Sequence, residues 1–161
     1  MCGIAGVFGY ANGCGLGQVV ENMVASLVHR GPDDDGVWAD DEAKIAFGHR
    51  RLSVLDISQE GHQPMLSKDG RYVMVFNGEV YNHQMLKKRL EGEGPISWRG
   101  HSDAEVMLEA ISKWGIEQAL PKFTGMFAIA LFDRQERKLY LIRDRMGEKP
   151  LYYGWCSGAF V

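Results

Sequence analysis

The second residue of this chain is a cysteine, and it becomes the N-terminus once Met1 is removed. Cys2 then carries a thiol and a free α-amine. The thiolate is the nucleophilic form, and an ordinary thiol is mostly protonated at neutral pH. An α-amino group titrates near ~7.7–8.0, so a working fraction is neutral at that pH. One residue can therefore supply both nucleophile and general base, a known way to activate a weak nucleophile. Gly3 follows, with no side chain to block approach to the sulfur. Position alone is equally compatible with a chance cysteine. If Met1 stays attached, the Cys2 nitrogen is a peptide amide and this base is lost. A chain that retains Met1 is expected to be inactive.

The residues that follow make chance a poor account. Met1-Cys2-Gly3-Ile4 is followed by His29-Arg30-Gly31-Pro32-Asp33, then by Arg50-Arg51-Leu52-Ser53. Next come Phe76-Asn77-Gly78-Glu79-Val80-Tyr81-Asn82 and Ser102-Asp103-Ala104-Glu105. Gly125-Met126-Phe127-Ala128 precedes Arg143-Asp144-Arg145 with Lys149-Pro150-Leu151-Tyr152-Tyr153. In this order the series resembles the glutaminase domain of glutamine-using asparagine synthetases. Those are class II glutamine amidotransferases, within the N-terminal-nucleophile hydrolases. The resemblance spans essentially the whole chain. Each motif is weak alone; the ordered set is specific. The Arg-Gly-Pro-Asp stretch is closer to asparagine synthetases than to the sugar-phosphate or phosphoribosyl branches.

The resemblance implies roles for particular residues. Cys2 would attack the side-chain carboxamide of L-glutamine, its amine taking the thiol proton and returning it to departing ammonia. Water would then hydrolyse the glutamyl thioester. The oxyanion would be met by the Asn77 side-chain amide and the Gly78 backbone N–H, each contributing a few kcal/mol. Asn-Gly is also a hairpin-turn dipeptide. A glycine at 78 would in addition keep the substrate uncrowded. A guanidinium can hold the substrate carboxylate bidentately, and the motif match selects Arg51 over adjacent Arg50. Glu79 and Asp103 would hold the ammonium. Asp103 also suits the N-terminus of a helix. Read alone, Arg143, Asp144, Arg145 and Lys149 make a solvated charged loop; the resemblance puts it near a contact with a downstream domain.

Composition sets the class. A chain of 161 residues is enough for one domain with a real core. Hydrophobic content of 45% and charged content of 24% are ordinary for a globular protein. A net charge of −3 with no long basic run argues against nucleic acid as partner. Lys87-Lys88-Arg89 is read as the solvated face of a helix. No apolar run approaches the ~20 residues of a membrane span, and no signal peptide is visible. Cys2, Cys14 and Cys156 form neither a disulfide framework nor a zinc pattern. The five histidines lack metal-ligand spacing and are read as structural or hydrogen-bonding. The expected setting is a reducing cytoplasm.

The elements that must position these groups follow from pattern. Residues 3–9 read as a buried strand. Gly13, Gly15 and Gly17 form a loop whose spacing fails the dinucleotide fingerprint. Leu16, Val19, Val20, Met23, Val24, Leu27 and Val28 make a helical stripe ended by Gly31-Pro32. Strands are expected near Val37–Ala39, Ile45–Phe47 and Tyr72–Phe76, and a helix over 82–91. A helix from Ser102 has a capping box with Glu105. Its apolar face carries Val106, Met107, Ala110, Ile111 and Trp114. Residues 126–132 are apolar throughout, a strand covered on both faces. A polar turn at 133–138 leads to a paired strand at 139–142. Periodicity gives an α+β protein. The resemblance implies a four-layer αββα sandwich of two stacked, mainly antiparallel sheets.

Residues 1–161 are thus expected to be a single glutaminase domain, the N-terminal part of a longer synthetase. The Ser-Gly-Gly-x-Asp-Ser phosphate loop of an ATP-binding domain is absent from the sequence. No cofactor is expected for this domain, whereas ATP and Mg2+ are expected for a downstream one. Expected partners are L-glutamine, the C-terminal synthetase domain and, as a homodimer, a second copy. Residues 147–155, rich in aromatics, are expected to face that C-terminal domain. Other readings are a glutaminase serving another amide- or amine-forming synthetase, a glutamine-binding domain without turnover, and a different N-terminal-nucleophile amide hydrolase.

Overall fold

A computed structural model describes residues 2–9, 15–52 and 59–161. In chain order the elements begin with β1 (Gly3–Phe8), α1 (Leu16–Ser26), β2 (Asp34–Asp40), β3 (Ile45–Arg51), β4 (Met65–Leu66) and β5 (Tyr72–Val80). Then come α2 (His83–Gly92), α3 (Asp103–Trp114), α4 (Ile116–Ala119), β6 (Gly125–Asp133), β7 (Lys138–Arg143), β8 (Trp155–Cys156) and β9 (Ala159–Phe160). One sheet runs β2-β3-β1-β9-β8 and the other β4-β5-β6-β7, and the pairings are antiparallel. Met1, Cys14 and Ser53, like the Gly13 part of the expected loop, lie outside the described residues.

Three apolar layers hold four layers of structure together, which is the αββα sandwich expected. Val20 and Val24 of α1 pack on Val7 and Ala46, on the outer face of the first sheet. Ile45 and Phe47 meet Val73, Val75, Ala130 and Phe132 between the sheets. Leu86, Leu90, Met107 and Ile111 of α2 and α3 cover Met74, Phe76 and Leu131 on the outer face of the second. Side chains alternate along a strand, so odd-numbered residues of β3 and β5 face the inter-sheet layer. Residues 127–133 are buried at every position, which explains the unbroken apolar run up to Phe132. Among the described residues, no helix is long and apolar enough to cross a membrane.

Several local expectations need amendment. β5 does not stop at Phe76; it continues through Asn77 and Gly78 to Val80, so Asn-Gly makes no turn here. Ser102 Oγ accepts the Glu105 N–H at 3.2 Å, but Glu105 does not return the favour. Its carboxylate accepts the Arg99 and Gly100 N–H groups at 2.8 and 3.0 Å, tying down the preceding loop. The turn at 133–138 is not wholly polar surface. Asp133 is buried, held by Arg71 Nε at 3.0 Å and Nη2 at 2.6 Å. Lys87 and Arg89 do not merely face water, since they lie 4.7 and 5.2 Å from the ring centres of Trp98 and Trp114.

Candidate active site

The site is built at one end of the inter-sheet layer. Gly3 pairs with Arg50 and Ile4 with His49. One step outward, Cys2 comes opposite Arg51, which on its other side pairs with Asp34. Cys2, Arg51 and Asp34 thus form a row across the sheet, on the face that Phe47 turns toward β5. The Leu52 N–H points at Cys2 Sγ at 3.4 Å, and the thiol reaches the Leu52 carbonyl at 3.8 Å.

Strand alternation separates the two arginines. Arg50 turns to the α1 side, donating from Nε to the Val24 carbonyl at 3.1 Å and from Nη1 to Asp35 at 2.9 Å. Arg51 turns inward beside Cys2 and is buried. Its guanidinium lies against Gly61, where any Cβ would collide with it.

The second sheet presents β5 to this row. Asn77 and Glu79 share the face of Val73 and Val75, and Asn77 is buried. The backbone groups of β5 are equally ordered. Gly78 pairs with Phe127. Phe127 directs its own N–H to Asp144 Oδ2 at 3.1 Å and accepts the Asp144 N–H at 2.8 Å, both away from β5. The Gly78 and Phe127 pair is therefore a non-hydrogen-bonded one, so the Gly78 N–H points off the sheet at the free edge of β5. The edge is free because β4 pairs only with Val73 and Met74.

Three alternate amides, of Phe76, Gly78 and Val80, share that edge. The Phe76 N–H donates to Gln63 Oε1 at 2.7 Å, and the Val80 N–H to Asp103 Oδ2 at 2.8 Å. Among the described residues, no acceptor meets the Gly78 N–H. The glycine itself answers to packing. A Cβ there would collide with the Met126 carbonyl and come within 2.7 Å of Phe127 Cα.

Asp103 takes the helix-start place read from the sequence. It opens α3, and Oδ1 accepts the Ala104 N–H at 2.9 Å while Oδ2 takes the Val80 amide. Burial pushes its pKa up, partly opposed by those two N–H bonds; nearby Glu79 also raises it and His83 lowers it. A cation entering beside Glu79 and Asp103 would relieve that penalty.

Other buried polar residues lie around this site. His49, next inward from Arg51 on the same face, is buried, and its Nε2 lies 3.2 Å from the Phe76 carbonyl. Burial drives its pKa down to about 4, so the ring is neutral at ordinary pH. Asp144 and Lys149 are buried too, which corrects the reading of a solvated loop. Burial alone would raise the Asp144 pKa, but N–H groups of Lys149, Glu148, Phe127 and Gly147 outweigh it and hold it low. Nothing in the sequence marked Gln63, and His49 was read only as one of five structural or hydrogen-bonding histidines.

An apolar cleft enters the inter-sheet layer between β1 and β7, lined by Ile4, Phe8, Leu141, Leu151 and Phe160 among others. Of its lining, Tyr152 and Tyr153 are 89% and 68% exposed; Trp155, edge-on to Phe160, is 77% exposed.

The model of the glutamine amidotransferase domain matches residues 1–161. The chain belongs to that family. Over 95% of its length the amidotransferase domain is 39% identical to Asparagine synthetase [glutamine-hydrolyzing] 1 of Bacillus subtilis, covering 24% of that protein. It is 33% identical, over its full length, to Putative asparagine synthetase [glutamine-hydrolyzing] 2 of Methanocaldococcus jannaschii, covering 33% of it. The chain thus spans about a quarter to a third of these relatives. Glutamine phosphoribosylpyrophosphate amidotransferase of B. subtilis superposes with a TM-score of 0.80 at 22% identity, over 98% of this chain and 40% of that one. That likeness shows the fold.

Proposed function

We propose that this domain hydrolyses the side-chain amide of L-glutamine through a thioester on Cys2, giving glutamate and ammonia. The Cys2 sulfur attacks the carboxamide carbon, and its proton passes to the Cys2 amine. The C–N bond then breaks as that proton is returned to the leaving ammonia. Water cleaves the thioester and regenerates the thiol. Gly78 N–H and the Asn77 amide stabilise the oxyanion of both tetrahedral intermediates. Arg51 holds the substrate carboxylate, and Glu79 with Asp103 the ammonium.

The observation that carries this reading is the edge of β5. Two of its three alternate amides are occupied by Gln63 and Asp103, and the one left open is Gly78. A donor left open beside a thiol strand is what an oxyanion requires. The opposed turning of Arg50 and Arg51 supports the choice of Arg51.

We further propose that the ammonia serves asparagine formation from aspartate by an ATP- and Mg2+-dependent synthetase domain, in the cytoplasm. The names of the relatives and their greater length support this. Tyr152, Tyr153 and Trp155 are where that domain would dock, and where two copies would associate if the patch were uncovered.

The decisive experiment is ammonia release from glutamine by protein whose N-terminus is verified by mass spectrometry. Cys2→Ala and Cys2→Ser should abolish release while leaving the fold intact. Substantial release by Cys2→Ala would overturn the reading. Full activity in protein retaining Met1 would overturn the role of the Cys2 amine.

A further inference from the structure

The two sheets meet through apolar side chains, which set their separation softly. Directional contacts that cross the interface are therefore informative. His49 supplies one: it stands on β3, two residues from Arg51, and its Nε2 reaches the Phe76 carbonyl on β5 at 3.2 Å. Phe76 directly precedes Asn77. Its other edge group, the N–H, is held by Gln63 Oε1 at 2.7 Å. Both backbone groups of the residue before Asn77-Gly78 are thus fixed by side chains rather than by a neighbouring strand.

The chemistry of His49 fits this single task. Its Nδ1 is buried and, among the described residues, meets no hydrogen-bond partner. An imidazole kept in the interior with half its polar capacity unsatisfied is costly, and an apolar residue of similar size would pack without that cost. Among the described residues, its one hydrogen bond is to Phe76. Gln63 is also buried, and its carbonyl oxygen packs where Gly36 has no side chain.

We propose that His49 and Gln63 are positioning residues that hold the oxyanion strand in register with the Cys2 strand. This rests on the proposed roles of Cys2, Asn77 and Gly78. Neither residue touches substrate. Each acts through the Phe76 peptide, which fixes where the next amides lie relative to the sulfur. An offset of about 1 Å at a reacting centre can cost on the order of 10²-fold in rate.

The test uses steady-state glutaminase kinetics, with active sites counted by an electrophilic glutamine analogue that alkylates the thiol. His49→Leu removes the strut, and His49→Gln restores an amide donor near the position of Nε2. Gln63→Met removes the acceptor and keeps the length. The expected result is a kcat per titrated site lowered roughly tenfold or more in His49→Leu and Gln63→Met, with KM within about twofold. His49→Gln should recover most of it. Unchanged kcat per titrated site in Gln63→Met, or no recovery in His49→Gln, would overturn the inference. If His49→Leu fails to fold, Gln63→Met and His49→Gln decide, each assayed as its monomeric fraction. Asn77→Ala serves as control: if it leaves kcat intact, the underlying oxyanion reading falls. If it lowers kcat while Gln63→Met does not, only the positioning role falls.

Discussion

The Arg51 guanidinium rests against Gly61, closer than any side chain at that position would allow. The loop and the arginine are therefore matched. Gly61→Ala should displace the guanidinium without touching the thiol or the oxyanion donors. A grip felt equally in ground and transition states appears in KM. We predict that Gly61→Ala raises KM for glutamine several-fold with kcat nearly unchanged, and that Arg51→Ala raises it about 10–100-fold. Steady-state kinetics check this. A fall in kcat with constant KM would mean Arg51 has another task.

Asn77→Ala should show the opposite split. If its amide meets the oxyanion, kcat should drop by order 10²-fold with little change in KM. Equal KM and kcat effects would show that Asn77 binds the substrate ground state instead.

Gly78→Ala is predicted to be a folding defect before it is a catalytic one. The new methyl would meet the backbone of Met126 and Phe127, which cannot swing aside. Overpacking of this kind costs about 1–3 kcal/mol. Urea denaturation should show it; a variant as stable as the parent would contradict the packing described.

Acid stability should carry the signature of His49. Burial lowers its folded-state pKa to about 4, while its backbone bond to Phe76 and Asp34 act the other way and Arg51 and His62 add to the lowering. An unfolded histidine titrates near ~6.5. Between these values the unfolded chain binds a proton that the folded one refuses. This group's contribution to stability is therefore full above about pH 6.5 and is lost progressively toward pH 4. His49→Gln should flatten the fall in unfolding free energy over that window. An unchanged slope would show that His49 does not stay neutral.

The sequence was most legible where the pattern is local. The apolar stretch at 126–132 could be read directly as a strand covered on both faces. Arg51 was chosen over Arg50 by motif, and its physical reason needs the β1–β3 register, which places one arginine inward and the other against α1. Asp103 looked like a choice between cap and ligand because the sequence cannot show that its second oxygen reaches Val80. Gln63 was illegible for a similar reason. Its bond to Phe76 exists because β4 is two residues long and leaves Phe76 without a strand neighbour on that edge. Asp144 and Lys149 looked solvated because charge usually marks surface, whereas here four backbone N–H groups hold Asp144 inside.

The exposed margin of β5 also bears on solubility. A free strand edge is a template on which a foreign strand can add, and proteins commonly blunt such edges. Here the side chains of Gln63 and Asp103 already occupy the N–H groups on either side of Gly78. An incoming strand would find a single amide where it needs a ladder, whereas a small tetrahedral oxyanion needs only one. The margin we propose for the oxyanion is thereby closed to aggregation, and Gln63→Met, by freeing the Phe76 amide, should make the protein more prone to assemble through β5.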